Sequence, residues 1–383
     1  MAIITRVATA ALMVAAAVLL GLAGVGHAQL QNGFYKGKCG ANDVEAVVQG
    51  IVRARFARDA PIVAYLLRMQ FHECAVNGCD GGLLIDGPGT EKAASPNLSV
   101  KGYDLIADIK AELERRCPGV VSCSDIQILA TRDAVALAGG QPYAVRTGRR
   151  DRRQSRASDV VLPAPDSTAA QSVAFFRKLG LGEFDTVLLL GAHTVGATHC
   201  GVIKDSRLYK YGGRAGATDP ALDPYYAFVY KTWVCPNAAA SDGNVVFLDD
   251  QWSALRVDSN YYKQLQRRRG VLPCDQNLYG DGASTKWIVN LLANNSDLFP
   301  SLFPQALIKL GEVNVLAGAQ GEIRKDMYSQ CGKDGVAVPR IRHAGERDRS
   351  RASNMRERSG SCVIPLIFPT HLLPFSRTRF SNY

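Results

Sequence analysis

Arg68-Met69-Gln70-Phe71-His72 places a guanidinium and an imidazole at positions i and i+4. On a helix, both side chains leave from one face. Such a pair suits work on a peroxide. The imidazole takes a proton from one oxygen and returns it to the other. The guanidinium stabilises the charge that develops as the O–O bond breaks. Taken alone, the pair also fits an ordinary solvated helix face. A second imidazole, His193, sits in Leu190-Gly191-Ala192-His193-Thr194-Val195-Gly196, inside an apolar stretch. A neutral His in such surroundings is either a satisfied core residue or a metal ligand.

Helices must position these groups. Val44, Val47, Val48, Ile51 and Val52 repeat at helical spacing behind Asp43, an N-cap residue. Pro61 stands where a helix can start, and 62–72 follows. Leu105, Ile106, Ile109 and Leu113 form a stripe after Gly102, and 125–137 runs until Gly139-Gly140 stops it. The stretch 184–198 is apolar on nearly all sides, which predicts one buried helix carrying His193. Helices are also expected over 287–298 and 302–310. Strand signals are few: 143–145 and 245–248. Loops rich in Gly, Pro and Asp lie between, chiefly 211–223, and no internal repeat is present.

The chain has 383 residues, enough for a large core, and nearly half of them are apolar. Arg6 precedes an apolar run over 7–22, and Gly24-Val25-Gly26-His27-Ala28 offers small residues for cleavage after Ala28. We read 1–28 as a secretory signal peptide, too short in its apolar run to span a membrane. No other segment reaches membrane length, so no membrane partner is expected. Ten cysteines in a secreted chain read as disulfides first, and no zinc-type spacing is present. Spacing leaves their connectivity open. The net charge is +10, but the residues after Cys331 hold ten Lys/Arg and four Asp/Glu and so supply six of the ten. The body is only mildly basic. This disfavours nucleic acid as a partner and fits weak attraction to acidic cell-wall polymers. In that tail, 345–360 is rich in Arg, Ser and Glu without apolar periodicity, and 363–375 is apolar with three prolines. We expect 332–383 to be a basic, disordered extension outside the domain.

The motifs together resemble the secretory plant haem peroxidases, the horseradish type, from about Gln29 to Cys331. They are the Arg68…Phe71-His72 block, Glu91…Pro96-Asn97, Val121-Ser122-Cys123-Ser124-Asp125-Ile126, Gly148-Arg149-Arg150-Asp151, and Gly191-Ala192-His193-Thr194, in matching order and separation. The resemblance implies a mainly α, two-lobed fold over 29–331, with haem b between distal and proximal helices, few short strands and four disulfides. It implies a donor:hydrogen-peroxide oxidoreductase. Peroxide takes two electrons from the cofactor, and two phenolic donors each return one. Carried over, His193 is the axial haem ligand and Asp275 accepts its other ring N–H. His72 is the distal acid/base and Arg68 its cationic partner. Asn97 fixes the His72 tautomer, Glu91 belongs to the same relay, and Phe71 packs beside the haem.

The resemblance further implies two calcium ions held by oxygen ligands. Glu73, Val76, Gly78, Asp80 and Gly82 match the distal set. Thr194, Asp250, Ser253, Asp258 and the Arg256 carbonyl match the proximal one. It pairs Cys39 with Cys117, Cys74 with Cys79, Cys123 with Cys331, and Cys200 with Cys235. Cys274 and Cys362 remain; Cys274 reads as a small buried thiol. Asn294-Asn295-Ser296 is a glycosylation sequon. Asn97-Leu98-Ser99 is formally another, but a relay Asn97 is buried and carries no glycan.

Four departures stand out. Glu73 replaces a usual Asp, Ala75 a usual Phe, Gly82 a usual Ser, and Gln141 takes the place of a donor-site Pro. The first and third bear on the distal calcium and predict that it is weakened. The last bears on donor choice. The expected product is a monomer in the cell wall or apoplast, with the vacuole as the other destination. The competing reading is a non-catalytic wall protein that keeps the fold. It requires loss of the distal pair or the axial His, and all three residues are present.

Overall fold

In a computed structural model of the chain, residues 30–280 and 282–328 are described. The expected leader 1–28 and extension 332–383 lie outside the described residues, as do Cys331 and Cys362. The described residues fold mainly as helices. The first group is α1 (Val44–Phe56), α2 (Ile62–Cys74), α3 (Tyr103–Arg116) and α4 (Cys123–Leu137). Asp43 caps α1 by accepting from the Ala46 amide, and Ser122 caps α4 by accepting from Asp125. Helix α4 is buried from Cys123 to Val135 and packs against α1, α2 and α3. It is therefore the internal post on which the Arg68–His72 helix rests.

A second group follows: α5 (Ala169–Lys178), α6 (Glu183–Leu190), α7 (Cys200–Ile203), α8 (Pro224–Val229), α9 (Asn260–Gln266), α10 (Pro273–Asn277), α11 (Lys286–Asn294) and α12 (Leu298–Gly311). Strands β1 (Ala197–His199) and β2 (Val245–Phe247) pair antiparallel, Thr198 opposite Val246. One core joins α1–α4 to α6, α9, α11 and α12. A smaller one gathers Ile203, Leu208, Tyr230, Val246 and Val271 around the Cys200–Cys235 disulfide.

Three expectations need correction. The stretch 184–198 is not one helix: α6 ends at Leu190, a 3-10 turn covers Gly191–Thr194, and β1 follows. A Cβ on Gly191 would collide with the Tyr262 hydroxyl and, at 2.6 Å, with the Phe299 ring. Gly196, at φ +102°, then reverses the chain. Residues 143–145 form no strand; pairing starts at Thr147 and only as isolated bridges. The helix expected over 287–298 stops at Asn294, and α12 starts afresh at Leu298.

Disulfides join Cys39–Cys117, Cys74–Cys79 and Cys200–Cys235. The first closes 78 residues across the distal helices, worth about 4.5 kcal/mol by loop entropy. Cys123 is buried, and its expected partner, Cys331, lies outside the described residues. Cys274 is buried and has no disulfide partner among the described residues; Cys362 lies outside them.

Candidate active site

Arg68 and His72 lie on one face of α2, and Arg68 Nε donates to His72 Nε2 at 3.2 Å. The opposite ring nitrogen, Nδ1, meets Asn97 Oδ1 at 2.6 Å. The Asn97 amide cannot be turned round, because its Nδ2 donates to the Glu91 carbonyl at 2.7 Å. Oδ1 must face the ring, so the proton sits on Nδ1 and the Nε2 lone pair points towards Arg68. Arg68 is held by the Ser99 and Pro96 carbonyls, each at 3.2 Å. Burial first, and then the Arg68 charge, push His72 down to about 4; the Asn97 hydrogen bond opposes them. His72 is therefore a neutral base at any ordinary pH.

Across from α2 stands the 3-10 turn that carries His193. His193 Nδ1 lies 2.8 Å from Asp275 Oδ1, on α10. Tyr261, on α9, donates its hydroxyl to the same oxygen at 2.9 Å. Burial lowers the His193 pKa, but the Asp275 charge and hydrogen bond outweigh it and the net shift is upward. The Arg68 charge lowers the pKa of both imidazoles, and the elements that carry them are neighbours. His193 keeps 31% of its side chain accessible while Asp275 behind it is fully covered. Among the described residues nothing bonds Nε2, so an imidazole nitrogen with its tautomer set from behind remains unclaimed. This donor fits an axial haem ligand. Phe71 flanks it on the α2 side, packed against Phe175 and Phe176.

Two of the sequence motifs turn out to be scaffolding. Asp125 accepts from Tyr35, from the Gly148 and Arg149 amides, and from the Arg149 guanidinium at 2.8 Å. Arg149 also donates to the Gly311 carbonyl. Asp151 accepts from the Cys123 and Ser124 amides at the start of α4. Breaking such a buried pair costs about 3–5 kcal/mol.

On the proximal side, Thr194 Oγ1 has Asp249 Oδ2, the Arg256 carbonyl and the Asp258 carbonyl each at 3.1 Å. One hydroxyl hydrogen cannot serve three acceptors. Ser253 Oγ adds a further oxygen, 3.3 Å from Asp249 Oδ2. Asp249 Oδ1 accepts from the Asp250 amide and from Asn260 Nδ2. The side-chain and carbonyl oxygens gathered at Thr194 are of the kind that suits a hard cation such as calcium. It is Asp249 that faces Thr194; Asp250 accepts from the Trp252 amide instead. Past β2 the strand alternation breaks: Leu248 and Asp249 are both buried. The doublet Asp249-Asp250 was the only signal in the sequence for this.

The distal set does not assemble in the same way. Glu73 Oε1 accepts from the amides of Asp80 (3.0 Å), Gly81 and Gly82 (3.1 Å), and Oε2 from Leu83 (2.9 Å). Asp80 Oδ2 pairs with Arg152 Nε at 3.0 Å, and Gly82 brings no side-chain oxygen. Val76 and Gly78 lie on the loop between, the latter at φ +117°. These residues do not fit a calcium ion. Arg152 went unnoticed in the sequence because it reads as one more cation in Arg149-Arg150-Asp151-Arg152-Arg153. Asn294 is exposed at the end of α11 and Asn97 is buried.

A family model described as peroxidase matches residues 48–295. Peroxidase 57 of Arabidopsis thaliana is 46% identical over 302 residues, which cover 79% of this chain and 93% of that protein. Peroxidase 60 of the same plant is 40% identical over 329 residues, 85% and 97% of the two chains. Peroxidase 5 of Vitis vinifera is 41% identical over 304 residues, 78% and 90%. These matches span both imidazoles and the helices that hold them, and the chain belongs to the peroxidase family, in its secretory plant branch.

Proposed function

We propose that this chain is a secreted peroxidase that reduces hydrogen peroxide and oxidises small phenolic donors by one-electron steps. His193 would hold haem b, and the oxygens around Thr194 would hold calcium. Family membership implies haem and calcium in general. The observation that carries the reading is the pair of tautomer-locked imidazoles on neighbouring elements, His72 with a lone pair beside Arg68 and His193 with Nε2 unclaimed among the described residues.

Bound haem supplies the electron-transfer chemistry. The residues supply the rest. His72 Nε2 takes the proton from the nearer peroxide oxygen and hands it to the farther one, which leaves as water. The Arg68 guanidinium, anchored by two carbonyls, stabilises that oxygen as the O–O bond lengthens. Asn97 keeps the His72 proton on Nδ1, so Nε2 starts each cycle empty. Asp275, backed by Tyr261, gives His193 strong donor character. Phe71 narrows the approach, which suits a small peroxide and leaves larger phenols at the rim. No helix among the described residues is long and apolar enough to cross a membrane. The proposed site of action is the cell wall or apoplast, with a monomeric protein loosely held by acidic polymers.

Absorption spectroscopy tests the assignment. His193→Ala should lose the Soret band while keeping its far-ultraviolet circular dichroism. His72→Ala should keep the band and react with peroxide about 10²-fold more slowly or worse. A full Soret band in the first variant, or the parental rate in the second, overturns the reading.

A further inference from the structure

The residues expected to hold the distal calcium are arranged around something else. Glu73 is one methylene longer than the Asp of the resemblance, and the extra length carries its carboxylate into the 80–83 loop. Four consecutive backbone amides, from Asp80 to Leu83, donate to its two oxygens. Three of these bonds end on Oε1 and one on Oε2, so backbone amides are the main partners of the carboxylate.

The positive charge comes from the protein. Arg152 Nε meets Asp80 Oδ2 at 3.0 Å and Arg152 Nη1 meets Glu91 Oε1 at 2.9 Å. Asp80 is 3% exposed and Glu91 1%, so this fork joins two buried carboxylates. The Arg152 amide donates to the Asp80 carbonyl at 2.7 Å. Arg324 braces the arrangement, donating to the Arg152 carbonyl at 3.0 Å and to the Gly81 carbonyl at 2.7 Å. Gly82 makes room: a Cβ there would lie 2.7 Å from Glu91 Oε1 and 2.8 Å from Arg152 Cδ. A Ser at position 82 would require the Arg152 and Glu91 side chains to shift. Glu73, Gly82 and Arg152 thus fit one another in this loop.

We propose that Arg152 is a built-in replacement for the distal calcium and a positioning residue for His72. It acts through Glu91, whose carbonyl orients Asn97, which in turn sets the His72 tautomer. Calcium is then confined to the proximal oxygens around Thr194. A planar guanidinium bridging two carboxylates holds the relay with fixed geometry. It also makes the relay indifferent to chelators.

Two measurements on the holoprotein test this. The first is metal content after saturation with calcium chloride and gel filtration. We expect no more than one calcium per chain, lost in Thr194→Val. Two per chain, or one that survives Thr194→Val and disappears in Asp80→Asn, overturns the proposal. This arm stands whether or not the protein turns out to be a peroxidase. The second arm rests on the peroxidase reading and follows the pH profile of the peroxide reaction. Chelator treatment should leave its acid midpoint in place, Arg152→Ser should move it by about half a pH unit or more, and Arg152→Lys should restore part of the shift. A profile that moves with chelator, or is the same in Arg152→Ser as in the parent, overturns the positioning role. If Arg152→Ser fails to fold, the calcium count still decides.

Discussion

Replacing Arg68 with Leu tests how the distal base is kept neutral. His72 titrates at about 4 in place of its ordinary 6.5. That gap corresponds to roughly 3 kcal/mol against the imidazolium. Burial is the larger cause and the Arg68 charge the second. The native pKa is depressed, so this contribution to stability is complete above about 6.5 and is lost as pH falls towards 4. The rate of the peroxide reaction should follow the neutral fraction of His72, rising through pH 4 and flat above about 5. Arg68→Leu removes the like charge and leaves the burial. The acid midpoint should therefore rise, but by less than half of the gap, to roughly 5. The plateau should fall by about 10²–10³, the scale for losing one stabiliser of developing charge. Stopped-flow rates between pH 3.5 and 8 read both numbers. A midpoint that stays put or moves down in Arg68→Leu would refute the electrostatic account. A parent midpoint near 6.5 would refute the assignment of His72 as a buried neutral base.

Asp275→Asn removes the charge behind His193 but keeps a hydrogen-bonding side chain; the iron reduction potential of the loaded protein should rise, and an unchanged potential in spectroelectrochemical titration would contradict the proximal pairing. A chain stopped at Lys333 should fold and bind haem like the full chain, because the apolar pattern of the domain ends before it; loss of haem on purification would show that the extension matters. Mass mapping of the secreted protein should find glycan on exposed Asn294 and none on buried Asn97; a modified Asn97 is incompatible with its hydrogen bonds to His72 and Glu91.

Much of this protein is readable in its sequence because its determinants are local. The i, i+4 spacing puts Arg68 and His72 on one face wherever the helix lies. The cap at Asp43 and the stop at Gly139-Gly140 depend on neighbouring residues alone. The family resemblance then pairs His72 with Asn97 and His193 with Asp275, and both pairs are in contact. The misses are of another kind. Helix α6 gives way to a 3-10 turn before His193, where Tyr262 and Phe299, far along the chain, pack so close that only glycine fits at 191. Asp249 rather than Asp250 reaches Thr194 because the chain leaves the alternation of β2 one residue earlier than periodicity implies. Arg152 becomes the partner of Asp80 and Glu91 only once three separate loops meet. Sequence by itself determined which chemical groups the protein owns and which share a helix face. Tertiary packing alone decided which carboxylates meet a guanidinium, which meet backbone amides and which leave lone pairs for a metal, because those outcomes depend on ångström-scale placement of segments distant in the chain.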